Sequence, residues 1–300
     1  MRAQPKIAGL LLLAGVLASP GPASARGCRA NPDRYCDNWQ PQTVALRIYR
    51  NFLVVAKGKL GEASESQNFI LDTGTAPSII SEGLVRQLGL ATVRSTFRVA
   101  GKSIPAEVAI IPQIELGPIL ALSVPVYVQD LSPIERDLGI PVPIAGIIGL
   151  DVLSKSSFRL DYDKREIEFG DTSHVGIPVQ FDARAGLAVT KVRIDGREAR
   201  LLVDTGSDRL VLFGGNFADE EWPALRKTSQ AGVSLVEQKM YVQVFSAADI
   251  ILGGQHFSKD RAYFVPGSAD STFDGLLGVR AFGFRALSYD NASETIYLQK

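Results

Sequence analysis

An internal repeat constrains this chain more than any other feature. Phe69-Ile70-Leu71-Asp72-Thr73-Gly74-Thr75 returns half a chain later as Leu201-Leu202-Val203-Asp204-Thr205-Gly206-Ser207. Ile114-Glu115-Leu116-Gly117 returns as Ile250-Ile251-Leu252-Gly253, and Ile147-Ile148-Gly149-Leu150 returns as Leu276-Leu277-Gly278-Val279. The tails also match: residues 158–163 correspond to 284–290 with one residue of slack. The parts follow the same order in both halves, as a tandem duplication requires. Whatever one unit folds into, the chain must build twice.

Each unit reads as β-rich. The 28 Gly and 16 Pro are scattered between short runs of Val, Ile, Leu and Phe, the pattern of strands joined by tight turns. Residues 52–61 and 187–196 are alternating strands that end in a turn glycine, and 96–111 and 235–246 read as hairpins. Ser81 is placed to cap a short helix over 82–88, closed by Gly89. Residues 149–153 suit a single helical turn, and a strand over 157–163, a turn and a strand over 167–169 complete the first unit. The resulting division is 43–170 for the first lobe, 171–178 for a linker and 179–300 for the second lobe.

Composition narrows the function classes. With 32 basic against 32 acidic residues and 46% apolar residues, the chain is globular in composition. Disordered, collagen-like and coiled-coil classes drop out. A balanced charge gives no general electrostatic reason to bind nucleic acid or an anionic membrane.

The first 25 residues have the form of a secretory signal: Arg2 and Lys6, an apolar run over 7–18, then Ala23-Ser24-Ala25. An exported protein is expected, periplasmic or secreted, with no membrane span after signal removal. Cys28 and Cys36 are the only cysteines, and export favours a short-loop disulfide that pins an arm over 26–42. With no histidine nearby they make a poor zinc site, and neither a metal nor a cofactor is expected.

The two Asp-Thr-Gly motifs carry the chemistry. Two apolar residues, Asp-Thr-Gly and a hydroxyl residue should occur by chance in a chain of this length about once in a thousand sequences. Two copies at matching places in a repeat are far rarer. Aspartate supplies a carboxylate. Gly74 and Gly206 let the backbone turn tightly and bring an N–H close to it. Thr73 and Thr205 can hydrogen-bond across to the opposite loop, and Thr75 and Ser207 can donate to the carboxylates. Two such loops face to face place two carboxyls within reach of one proton, so one ionises readily and the other resists. Such a pair can hold a water, with one carboxylate as general base and its partner as acid. Asp208 adds an acidic side chain just beyond the second motif, with Arg209 beside it.

These motifs resemble the aspartic peptidase clan, specifically its retropepsin-like branch. Residues 69–169 are similar to bacterial retropepsin-like domains throughout, through Leu88-Gly89-Leu90, Glu115-Leu116-Gly117 and Ile148-Gly149-Leu150-Asp151-Val152-Leu153. The second unit keeps Asp204-Thr205-Gly206-Ser207 and Leu276-Leu277-Gly278. The resemblance implies an all-β fold of two tandem acid-protease barrel lobes around a central cleft, with few short helices. It also implies Asp72 and Asp204 as the catalytic pair, and the shared-proton behaviour is that clan's known behaviour. Gly149 and Gly278 are expected to support the loops from behind.

Retropepsins pair two chains to complete a site; here a monomer is implied, each half of an internal pseudo-dimer contributing one aspartate. Flaps are expected at Phe97 and the Ala100-Gly101 turn and, in the second unit, at Ala231-Gly232. No tyrosine lies in the first flap segment, a departure from pepsins. The expected activity is aspartic endopeptidase, with a protein or peptide as substrate. The alternative is a peptide-binding module that kept the fold without the chemistry. A serine or cysteine triad built on His174 or His256 lacks a recognisable nucleophile setting, and a carboxylate-pair glycosidase needs wider carboxyl spacing.

Overall fold

The computed structural model describes residues 10–11, 42–61, 65–99, 102–170, 173–216, 226–235, 238–266, 269–270 and 272–300. The expected Cys28–Cys36 disulfide and the flap residues Ala100 and Gly101 lie outside the described residues, as does the expected signal segment apart from Leu10–Leu11. That short strand runs parallel to Ser234 and Leu235.

The repeat is visible first in burial. Leu53–Leu60 and Leu187–Ile194 bury the same positions and turn the same two outward, Lys57 and Lys59 in one and Lys191 and Arg193 in the other. Alternation of this kind places one face of a strand on a core and leaves the charged positions in water.

Topology repeats as well. Gln67–Leu71 leads into the first motif and runs parallel to Gly146–Ile148. Ile79–Ser81 leaves the motif and lies antiparallel to Gly146–Ile148 on its other side. In the second unit, Gly275–Gly278 sits in the same way between Arg197–Asp204 and Leu210–Phe213. Each motif loop is therefore the connection between two strands held apart by a third. That inserted strand is the apolar-apolar-glycine segment of the repeat, so both ends of the loop are fixed by backbone ladders.

The units meet in a six-stranded run at the end of the larger sheet. Its order is Ile177–Gln180, Thr295–Gln299, Ala286–Asp290, Phe158–Asp161, Glu166–Phe169 and Gln42–Tyr49. The seam is the antiparallel pair Phe158↔Tyr289 through Asp161↔Ala286, built from the matching tails of the two repeats. Phe158 stacks on Tyr289 with centroids 5.2 Å apart, and Phe181 stacks on the other side of Tyr289 at 5.0 Å. Buried side chains of both halves thus mix in each of the two hydrophobic clusters, and neither half keeps a core to itself. The expected linker is shorter than 171–178, because Ile177 and Pro178 already belong to a strand paired with Thr295–Gln299. His174 is a loop residue beside it, 3.1 Å from Asp290 and stacked on Tyr297.

Helices are short and few. Glu82–Gln87 is capped by Ser81, whose hydroxyl accepts from the Leu84 N–H at 3.3 Å, and Leu150–Leu153 forms the single turn after Gly149. Ser132–Leu138 has no counterpart in the sequence expectations; a proline in its first turn and Gly139 at φ 62° after its last supply the start and stop signals.

Both expected flaps lie on long hairpins, but one assignment needs correction. Thr92–Val99 pairs with Lys102–Leu116 in a ladder that continues to Val99↔Lys102, with Phe97 opposite Ile104. Arg226–Leu235 pairs with Gln238–Leu252 in a ladder that continues to Leu235↔Gln238. Ala231 and Gly232 are mid-strand, opposite Val242 and Tyr241. A glycine marks a turn only where the ladder ends, and here alternation resumes through Val233 and Leu235.

Candidate active site

Asp72 and Asp204 end their strands side by side, each with no solvent exposure. The adjacent threonines lock the loops together. Thr73 N–H donates to Thr205 Oγ1 at 3.0 Å, and Thr205 N–H donates to Thr73 Oγ1 at 3.1 Å. Each hydroxyl then donates to the strand entering the opposite motif: Thr73 to Val203 O at 2.8 Å, Thr205 to Leu71 O at 3.3 Å. Four buried hydrogen bonds thus fix the separation of the two carboxyls. Buried polar groups satisfied in this reciprocal way hold one geometry, because any displacement leaves several of them unpaired.

Glycine is required between them. A Cβ on Gly74 would stand 2.6 Å from Asp204 Cγ, and one on Gly206 would stand 2.8 Å from Asp72 Cγ. The missing side chains let each carboxyl sit against the other loop's backbone. Gly206 N–H donates to both carboxyls, at 2.7 Å to Asp204 Oδ1 and 3.2 Å to Asp72 Oδ1. Sharing that one donor places the two carboxyls next to each other.

The pair is not symmetric. Asp72 accepts from Gly74 N–H at 2.8 Å and from the Thr75 hydroxyl at 2.7 Å. Ser207, in the matching position, instead accepts from Arg209 N–H at 3.1 Å. Asp204 Oδ2 is buried and meets no donor among the described residues. Burial raises the pKa of Asp72, opposed by the donors Thr75, Gly74 and Gly206. Asp204 is held well above the usual carboxylate range by burial and then by the Asp72 charge, with the N–H groups of Gly206 and Ser207 opposing. The donor pattern therefore favours the negative charge on Asp72 and the proton on Asp204, whose orphaned oxygen is the natural place for it. Thr75→Val should consequently raise the acidic limb of any pH–activity profile, whereas Ser207→Ala should leave it nearly in place. Equal shifts in the two profiles would refute the asymmetry.

Behind the first loop lies a network that sequence reading did not assign. Ser78, fully buried, donates its hydroxyl to Asp151 at 2.8 Å and accepts from Gly149 N–H at 2.9 Å, while Ser78 N–H reaches the other Asp151 oxygen at 3.1 Å. Leu150 N–H donates to Thr75 O at 2.9 Å. Asp151 was visible in its motif, but nothing local in the sequence says that it reaches back 73 residues to Ser78. Gly149 and Gly278 press directly on the loops: an added Cβ would fall 2.1 Å from Thr75 O and 2.5 Å from Ser207 O. Neither contact is with a flexible side chain, so Gly149→Ala should cost about 1–3 kcal/mol and disturb Asp72 through Thr75. Thermal melts together with turnover test this; a variant of unchanged Tm would contradict the contact.

Two further features take their meaning in three dimensions. Asp208 pairs with Arg209 at 2.8 Å, so its charge is largely neutralised before it can act on the pair. The first flap hairpin lacks a tyrosine of its own, yet Tyr127, on the neighbouring strand Ile119–Gln129, donates its hydroxyl to Thr96 O at 3.0 Å. Burial pushes the Tyr127 phenol up to about 12, so it remains a donor across the working range of a protein.

A family model for aspartyl proteases matches the chain twice, over residues 56–152 and 190–281, each match containing one Asp-Thr-Gly loop. A comparison with curated proteins gave no significant match. The match spans more than half of the chain and both halves of the carboxyl pair: this protein belongs to the aspartyl protease family and carries two retropepsin-like units in tandem.

Proposed function

We propose that the chain is an aspartic endopeptidase that completes its own active site, Asp72 serving as general base and Asp204 as general acid. The observation that carries this reading is the pair of buried carboxyls bridged by one N–H and held by reciprocal threonine bonds across the two units. A water between them loses a proton to Asp72 as its oxygen attacks the peptide carbonyl carbon. Asp204 gives its proton to the carbonyl oxygen, forming a neutral tetrahedral gem-diol. Proton transfer to the nitrogen and return of a diol proton to the pair then break the C–N bond. The pair holds a single negative charge throughout, so no step creates an additional charge in this buried site, which a low-polarity surrounding demands.

Activity needs Asp72 ionised and Asp204 protonated. It should rise with pH through the Asp72 titration and fall through that of Asp204. Both pKa values are raised, so the profile should lie above the range of unperturbed aspartates. The peptide-binding alternative uses the same cleft, and cleavage of a peptide library read by mass spectrometry separates the two. New termini whose formation pepstatin blocks support a peptidase; tight binding with every peptide intact supports the module. We further infer a monomeric protein, since one chain supplies both carboxyls, and an exported one, from the signal-like first 25 residues. Among the described residues no helix is long and apolar enough to cross a membrane.

A further inference from the structure

Beside the Asp204 loop lies a cavity of about 300 Å³, lined by Asp208, Arg209, Ser258, Lys259, Arg261, Tyr263 and Ala281. Its place follows from the topology. Gln255–Val265 runs parallel to Leu210–Phe213 with Tyr263 opposite Val211, so the residues preceding Tyr263 flank the end of the Asp204 loop. Ala281 follows Arg280, which donates to Asn51 O of the first unit at 2.9 Å, so the cavity borders the junction of the two lobes.

Its lining is cationic. Three basic side chains share the lining with one carboxylate: Arg209 pairs with it at 2.8 Å, and Lys259 Nζ lies 5.4 Å from the Phe282 ring centroid. Arg209 is braced with its guanidinium 5.3 Å from the Tyr263 ring centroid. Arg261 is exposed and Lys259 half-buried. The matching place in the first unit has none of this charge. Tyr127 occupies the position of Tyr263, opposite Ile79 as Tyr263 is opposite Val211. Ser123 and Pro125 then stand where the second unit has Lys259 and Arg261, and Ala76-Pro77 stand for Asp208-Arg209. A duplicated site has become electrostatically different on its two sides.

We propose that this cavity is a substrate subsite for an acidic side chain, a glutamate or aspartate, on one side of the scissile bond. The inference rests on the peptidase reading above and adds a specificity to it. The volume of about 300 Å³ readily admits a glutamate or aspartate side chain. The excess of cations favours a carboxylate, and the uncharged counterpart in the first unit confines the preference to one side.

The experiment uses labelled peptides that differ only in Glu, Gln or Lys at one position, scanned across both sides of the cleaved bond. Glu should be preferred over Gln by about tenfold in kcat/KM at a position on one side only, chiefly through KM. The preference should shrink at high salt. In Lys259→Gln and Arg261→Gln, checked for an unchanged Tm, the Glu-to-Gln ratio should fall toward one; Arg261→Glu should invert it in favour of Lys. Cleavage with equal Glu and Gln rates at every position would overturn the subsite and leave the peptidase reading standing. If no peptide is cleaved, anisotropy with the same peptides decides. Tighter binding of the Glu peptide, lost in the Arg261 and Lys259 variants, supports the subsite while the peptidase reading falls. Equal binding overturns it.

Discussion

Asp72→Asn and Asp204→Asn should each lower kcat by about a thousandfold or more while the protein stays folded, because neither carboxyl alone can supply both base and acid. Asparagine keeps the shape of the side chain, and the threonine bonds between the loops do not involve either carboxyl. The same variants should alter the dependence of stability on pH. Both aspartates have folded pKa values above the ordinary one. The folded state therefore binds protons more tightly than the unfolded chain does. The stability that this contributes is fully present below the unfolded pKa and is lost as pH rises through the folded values. Melting temperature should thus fall less between acid and neutral pH in either variant than in the parent. Kinetics and thermal melts across that range test both statements. Near-parental turnover in either variant would remove the paired-carboxyl mechanism, and identical melting profiles would show that the pair carries no strain from its buried charge.

The second large effect is expected far from the chemistry. Phe158 is fully buried on the seam, stacked on Tyr289 at 5.2 Å and tilted against Phe169 at 6.4 Å. Phe158→Ala should destabilise the protein by about 3–5 kcal/mol, a fall in Tm on the order of 10 °C for a chain of this size. The seam strand also aligns the two lobes, so turnover should fall before global unfolding begins. Denaturant titration followed by activity at sub-denaturing temperature would show this. A loss below about 1 kcal/mol would mean that the lobes are held together elsewhere.

The order of elements, the β character of both units and the two motif loops were legible in the sequence, because a duplication shows every structural requirement twice. Asp72 and Asp204 stood out for the same reason, as did Gly149 and Gly278: a residue type that recurs at the end of the same apolar run marks a position the backbone cannot do without. Local signals also sufficed for the helix after Ser81, whose capping group and closing glycine lie within one turn. The second flap did not follow from such signals. Gly232 looks like a turn residue in isolation, and only the ladder with Tyr241 shows that the strand continues past it.

What tertiary structure alone decided is the asymmetry of the site. Thr75 and Ser207 are near-equivalent in sequence, yet one hydroxyl donates to its carboxyl and the other accepts from Arg209 N–H. Ser78 and Asp151 are unremarkable until the inserted strand brings them together behind the first loop. The cationic cavity is assembled from a motif loop and a strand more than forty residues away. Periodicity and repeat are properties of neighbouring residues and survive in one dimension. Hydrogen-bond direction and charge environment depend on what the fold brings from elsewhere, so they appear only once the chain has closed on itself.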